Sequence, residues 1–276
     1  YAQIAADVLK VPLESIDVVG GDTASIAYGV GSIASRSTVT AGNAVFAAAE
    51  LLGKRILEIA AEIMETAASD LELQDGQVRL KGVPGHSVNL AQVSREAAAA
   101  VLRKGAPGEA VLAETSYFRP TTVTYASAAN AAIVEVDRDT GVVSIEKFVV
   151  VHDCGRVVNP LLADAQIAGG VMQGFGGALC EEMVHDADGQ VLSGSFMDYA
   201  MPRADQAPPL VLDHIENLST RNPLGVKGLG EGGAIAPPAA IANAVEDALK
   251  PLGVIVHRAP LSPARVRGLI ARAIPS

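Results

Sequence analysis

A chain of 276 residues, 49% apolar and 19% charged, can bury one large core or two modest ones. Its formal net charge of −10 argues against nucleic acid or an anionic membrane as the main partner, and no apolar run approaches the roughly 20 residues of a membrane span. The two cysteines, Cys154 and Cys180, stand far apart, form neither a disulfide framework nor a zinc signature, and fit a reducing compartment.

The chain opens with YAQIAADVLKVP, which predicts a helix over residues 3–10 ending before Pro12. Starting at Tyr1 with no Met and no signal-peptide pattern, it reads as part of something longer or as a processed chain. A short strand is predicted at Ile16 to Val19, then a glycine-rich loop, then a long helix over Val39 to Glu65 with Ser35, Ser37 and Thr38 as candidate caps. LELQDGQVRL predicts a hairpin turning at Asp75-Gly76, and a helix follows over Leu90 to Arg103, ending at Gly105. A domain boundary is expected near residues 105–120. Beyond it, AANAAIVEVD and VVSIEKFVVVHDCG alternate as two antiparallel strands around the turn DRDTG. A Gly/Ala-rich helix over Leu161 to Cys180 comes next, then a hairpin at HDADGQ and a Pro-containing loop, FMDYAMPRADQAPP. A helix over Pro238 to Leu249, a strand at Val254 to Val256 and a helix over Pro263 to Ala273 close the chain. Hairpins mixed with long helices define an α+β fold.

Five features bear on candidate chemistry. GVGSIA, Gly29 to Ala34, fits a dinucleotide fingerprint in letters only, since no clear strand precedes it and no clear helix follows directly. The five histidines are scattered and show no ligand spacing. Ser35, Arg36, Ser37 and Thr38 stand between a glycine-rich loop and a helix N-terminus, where hydroxyls, backbone N–H groups and the helix dipole make an anion site; a simple cap with a surface arginine accounts for the same residues. In QIAGGVMQGFGGAL, Gln166 and Gln173 fall seven residues apart on one helix face, among glycines that each cost about 1 kcal/mol relative to Ala in a helix. Close helix packing and a bound ligand both explain such glycines.

The remaining feature is Glu231, in VKGLGEGGAIAPP. Five of the nine residues from Gly225 to Gly233 are glycine. In an exposed loop Glu231 is an ordinary solvated acid. Folded against a ligand, it would have its pKa raised by burial and become a usable general base.

Taken in order, GDTASIAYGVGSIASRSTVTAG, VVVHDCGRVVNP, QIAGGVMQGFGGALCEE, GSFMDYAMPRA and NPLGVKGLGEGGAIAPPAAIANAVEDAL resemble the C-terminal half of the large subunit of the xanthine dehydrogenase / aldehyde oxidase / carbon monoxide dehydrogenase family. The resemblance covers nearly the whole chain. It implies an α+β molybdopterin-binding fold of the molybdenum hydroxylase type, with residues 1–115 and 116–276 as two cofactor-binding parts. Glu231 matches the family's general base. Ala34, Ser35, Arg36, Ser37, Thr38, Gln173, Lys227, Gly228, Leu229 and Gly230 match cofactor-contacting positions, while the pterin dithiolene, not the protein, holds the molybdenum. Asp153, Cys154 and Asn159-Pro160 belong to a motif read as structural, and both cysteines read as buried small residues. The implied activity is hydroxylation of an electron-poor carbon, in an N-heterocycle or aldehyde, with water as oxygen source. Electrons would leave through 2Fe-2S clusters and usually FAD on partner subunits. The cofactor is expected in its cytosine dinucleotide form. The family's upstream motifs near the metal are not in this sequence, so the resemblance implies either one piece of a split molybdenum subunit or a fragment. Its partners would be the N-terminal half of the molybdenum subunit, an iron–sulfur subunit and a flavin subunit, in a cytoplasmic dimer of heteromers acting on a small molecule. A carbon monoxide dehydrogenase-type piece and a non-catalytic assembly subunit are the alternative readings.

Overall fold

In the computed structural model, which describes residues 1–26, 28–104 and 112–273, the chain divides into two units. One comprises Tyr1–Val123 with Thr220–Leu224, the other Thr124–Ser219 with Gly225–Ser276.

In the first unit the helical spacing of apolar residues gives α1, Ala2–Leu9, and a π-helical turn, Thr38–Gly42, that runs into α2, Asn43–Met64. Ser37 leads into the turn but makes no side-chain cap bond; its hydroxyl pairs with that of Ser32 at 2.7 Å. β1, Leu71–Gln74, and β2, Gln77–Leu80, form the predicted hairpin, with Asp75 and Gly76 at φ 50° and 71° as such a two-residue turn requires. β3, Ser87–Asn89, was not foreseen; it adds antiparallel to β2 and leads into α3, Leu90–Lys104. The expected helix end at Gly105 and part of the expected boundary fall outside the described residues. Ile56 and Ala60 of α2, Leu71, Val78 and Val88 of the sheet and Val93 of α3 make the core.

The strand predicted at Ile16 to Val19 is not one: this stretch pairs with no described strand. It lies between Pro12 and the Gly20-Gly21 pair, and extended backbone without a ladder is not sheet. The segment Thr220–Leu224 is held by Asn43, which is fully buried. Its Nδ2 donates to Val39 O (2.8 Å) and Asn222 Oδ1 (3.2 Å), and its Oδ1 accepts from Leu224 N (3.0 Å).

In the second unit β4, Ser127–Val136, and β5, Val143–Asp153, pair antiparallel as the alternation predicts. The ladder slips once. Ile133 faces Lys147 and Val134 faces Ile145, so Glu146 is an extra residue. A bulge of one residue reverses which side chains face inward. Ile145 is buried before it; Phe148, Val150 and His152 are buried after it. Without the slip, Val151 and Asp153 would take the inner face. β6, Leu210–His214, was missed by the sequence reading. It lies parallel to β5 and places His214 beside His152.

Helices cover this sheet. α4, Pro160–Leu179, starts at an Asn159 cap that accepts from Leu162 N, with Pro160 at its first turn. A four-residue helix, α5, Gly232–Ile235, precedes α6, Pro237–Leu249, so the predicted glycine loop turns helical directly after Glu231. α7, Pro263–Ala273, matches the predicted bounds. α6 packs on β4, and α4 packs on α5 and α6. Residues at i, i+4, i+8 spacing point to the core: Ile167, Val171 and Phe175; Ile241, Val245 and Leu249. Each such buried side chain contributes about 1.5–3 kcal/mol over its exposed state. Two expectations fail here. HDADGQ makes a tight turn with a single bridge, His185 to Val191, rather than a strand pair. Val254 to Val256 forms no strand; it is tied by Val256 N to Glu246 Oε2 at 2.7 Å. The whole is α+β.

Candidate active site

The loop before Glu231 is fixed at successive residues. Val226 bridges to Gly155, and Lys227 N donates to Cys154 O at 2.7 Å. The Lys227 ammonium lies 2.6 Å from Asp153 Oδ2, with both side chains almost buried. Asp153 Oδ1 also accepts from Gly155 N (2.8 Å) and Asn217 N (3.3 Å). Burial pulls the Asp153 pKa up, but the Lys227 hydrogen bond and the two backbone donors outweigh it, and the carboxyl sits below its usual range. Gly228 N donates to Thr124 O (3.3 Å), and the Leu229 side chain packs on the core. Gln166 Nε2 donates to Gly230 O at 2.7 Å. Gly232 N then donates to Leu229 O (2.9 Å) and Ala234 N to Glu231 O (3.0 Å), closing a turn with the exposed Glu231 at its crest.

Bare backbone is a steric requirement in this loop. A methyl group on Gly170 of α4 would lie 2.7 Å from Gly233 Cα, and one on Gly233 would lie 2.4 Å from Ile167 O. The glycines of α4 therefore divide. Gly170 lets the helix touch the loop, and Gly174 meets Pro237 in the same way. Gly169 and Gly177 are exposed with open space above them, and with Gln166 and Gln173 they form one solvent-facing stripe at spacings of three, four and four. Packing explains the first pair; the second pair leaves room for a flat polar ligand beside two amides that donate and accept.

The serine segment belongs to the first unit and is built differently. Ala34 and Ser35, neither of them glycine, are left-handed at φ 50° and 55°. Each such residue costs on the order of 1 kcal/mol or more, and such strain gathers at ligand clamps. Arg36 O accepts from Thr40 N (2.8 Å) and Thr40 Oγ1 (3.0 Å), and Tyr1 OH reaches Ser37 O at 3.5 Å. Arg36 is half-buried and Thr38 exposed. The π-helical turn beginning at Thr38 is a form often found at functional sites. GVGSIA has no strand before it among the described residues, so the fingerprint lacks its context.

Three residues acquire a place that sequence reading did not give them. In the sequence Gln166 stands out only by its spacing from Gln173, yet it is the side chain tied to the loop. His152 and His214 seemed unrelated, 62 positions apart, but face each other in register on β5 and β6. His214 Nε2 lies 2.6 Å from Asp164 Oδ1 of α4. Cys154 is buried and Cys180 half-buried; burial pushes both thiols up, as suits inert packing residues. Among the described residues no three His, Cys, Asp or Glu side chains gather to hold a metal ion. Among the described residues no helix is long and apolar enough to cross a membrane.

Glu231 thus stands on a fixed glycine turn, and Gln166 ties that turn to the exposed glutamine–glycine face of α4. The profile of the molybdopterin cofactor-binding domain family matches residues 1–208, and the chain belongs to that family. It is 39% identical to the nicotine 6-hydroxylase large subunit of Paenarthrobacter nicotinovorans, over 96% of this chain and 32% of that protein. It is 35% identical to the carbon monoxide dehydrogenase large chain of Afipia carboxidovorans, over 90% of this chain and 30% of that one. Among solved structures, quinoline 2-oxidoreductase from Pseudomonas putida 86 superposes with a TM-score of 0.87 at 36% identity, covering 98% of this chain and 34% of that one. The chain thus spans about a third of the length of these relatives.

Proposed function

We propose that this chain is the part of a molybdenum hydroxylase that carries the general base and much of the cofactor cradle. The observation that carries the reading is the hydrogen bond from Gln166 to Gly230 O, which joins the glutamine–glycine face of α4 to the turn bearing Glu231. When bound, a molybdenum–pterin cofactor supplies two-electron redox chemistry at an electron-poor carbon, with water as the oxygen source. Glu231 takes the proton released in that hydroxylation, at its carboxylate. Gln173 presents amide donors and acceptors, and the backbone of Lys227, Gly228, Leu229 and Gly230 approaches the cofactor with little side chain between. The Lys227 ammonium acts on Asp153 and holds the loop. Ala34, Ser35, Arg36, Ser37 and Thr38 receive the pterin and phosphate region through hydroxyls, guanidinium and helix N-terminal amides. Residues 1–115 and 116–276 are each taken as a molybdopterin-binding part.

The likeness to nicotine 6-hydroxylase and quinoline 2-oxidoreductase supports an N-heterocyclic substrate, with aldehydes as the other class that offers an electron-poor carbon. The cytosine dinucleotide form of the cofactor, 2Fe-2S and FAD on partner subunits, a second piece of the molybdenum subunit, a dimer of heteromers and a cytoplasmic location complete the proposal. The likeness to carbon monoxide dehydrogenase large chains supports a second reading, oxidation of carbon monoxide by the same base and cradle.

The test is made on the assembled protein purified from its own host. Molybdenum is quantified, subunits are identified by native mass spectrometry, and turnover is measured with nicotine, quinoline, an aromatic aldehyde and carbon monoxide. Near-stoichiometric molybdenum is expected, and Glu231→Gln should lower turnover by about 10²–10⁴-fold without changing metal content. Metal-free protein, or full turnover by that variant at saturating substrate, would overturn the reading.

A further inference from the structure

His152 is 1% exposed, and neither ring nitrogen has a hydrogen-bond partner among the described residues. Buried polar groups are almost always paired, so the imidazole needs a reason to be there in place of an apolar side chain. It reaches the inner face of β5 because of the bulge at Glu146. Directly against it lies Gly232, the residue after Glu231. A methyl group on Gly232 would meet three atoms first, all in this ring: Nε2 at 2.2 Å, and Cδ2 and Cε1 at 3.1 Å. The backbone of Gly232 does not itself call for glycine. It is absent from the positive-φ positions and opens α5. Gly233, its neighbour, is a glycine because backbone of α4 is in the way; Gly232 is one because of His152.

We propose that His152 is a positioning residue for Glu231, its ring setting the height of the Glu231–Gly232 turn from beneath. This rests on the reading of Glu231 as the general base. The ring works as a neutral support. Burial is the main influence holding its pKa below 6.5, His214 and Lys227 add to it, and Asp153 opposes. Asp164, across from β6, is engaged by His214 rather than by His152. A side chain that only filled space would tolerate an apolar replacement. A support for the turn would register any change in height at the glutamate next to it.

The experiment is a double-mutant cycle in the assembled holoenzyme, with Gly232→Ala, His152→Ala and the two combined. Gly232→Ala should lower kcat by about 100-fold, the scale of an ångström's misplacement, with KM nearly unchanged. His152→Ala should lower kcat by about tenfold and speed hydrogen exchange at the amides of Gly232 and Ala234. In the double variant the added methyl group occupies space the ring has left, so kcat should return to the level of His152→Ala alone. Multiplied losses in the double variant, or unchanged exchange and kcat in His152→Ala, would overturn the proposal. If Gly232→Ala fails to assemble, assembly of the double variant supports the proposal, and its failure where His152→Ala assembles refutes it. Should Glu231→Gln prove fully active, the base is misassigned, while the exchange data still report whether His152 holds the turn.

Discussion

The serine segment and the glycine turn, both proposed above to meet the cofactor, are held differently. The serine segment carries short-range bonds, Ser32 to Ser37 and Arg36 O to Thr40, with one longer reach from Tyr1 OH to Ser37 O. Its fixed geometry comes from two left-handed residues and a π-helical turn. The glycine turn is tied across the sequence, by Gln166 to Gly230, 64 residues apart, and by Lys227 to Asp153, 74 apart. An anion cradle can be made of many weak donors and tolerates local construction. A lone base must stand at one height and angle, and that takes anchors in several elements.

The difference can be tested by removing one anchor from each region. The largest effect is expected at Lys227. Lys227→Met leaves Asp153 nearly buried with two backbone donors and no counter-charge, which should destabilise the protein by about 3 kcal/mol in urea unfolding. An unchanged midpoint would mean that the loop is held by its backbone alone. Next comes Asn43, at the start of the helix that follows the serine segment. Asn43→Ala removes the buried amide's bonds to Val39 O, Asn222 Oδ1 and Leu224 N and should cost about 2 kcal/mol by the same measurement. A smaller loss would show that local bonding suffices there, which would sharpen the contrast.

The smallest effect is a pH dependence confined to the glycine turn. The native His152 pKa lies below 6.5, so as pH falls through 6.5 the unfolded chain takes up a proton that the native protein refuses. Its contribution is complete above that range and is lost as pH falls towards the folded value, by at most about 1.4 kcal/mol per pH unit. Urea midpoints measured from about pH 7.5 to pH 5.5 should drop, and His152→Gln should flatten the drop. An equal slope in that variant would assign the titration to another group. Asp153 contributes at more acid pH, where its depressed carboxyl finally protonates and the Lys227 contact loses its charge.

Much of this was legible in the sequence. Helical spacing located α2, α4, α6 and α7, and Asp75-Gly76 and the DRDTG turn located two hairpins, because these signals arise between residues close along the chain. The order of the motifs identified the family and singled out Glu231. Tertiary structure alone decided the rest. β6 pairs parallel with a strand some 60 residues earlier, so no hairpin announces it. One extra residue at Glu146 turns His152, and not Val151, to the inside. The glycines look alike in one dimension, yet Gly170 and Gly233 touch backbone, Gly232 touches an imidazole, and Gly169 and Gly177 face open space. What a glycine is for depends on the atom that its missing side chain would strike, and that atom belongs to a distant part of the chain.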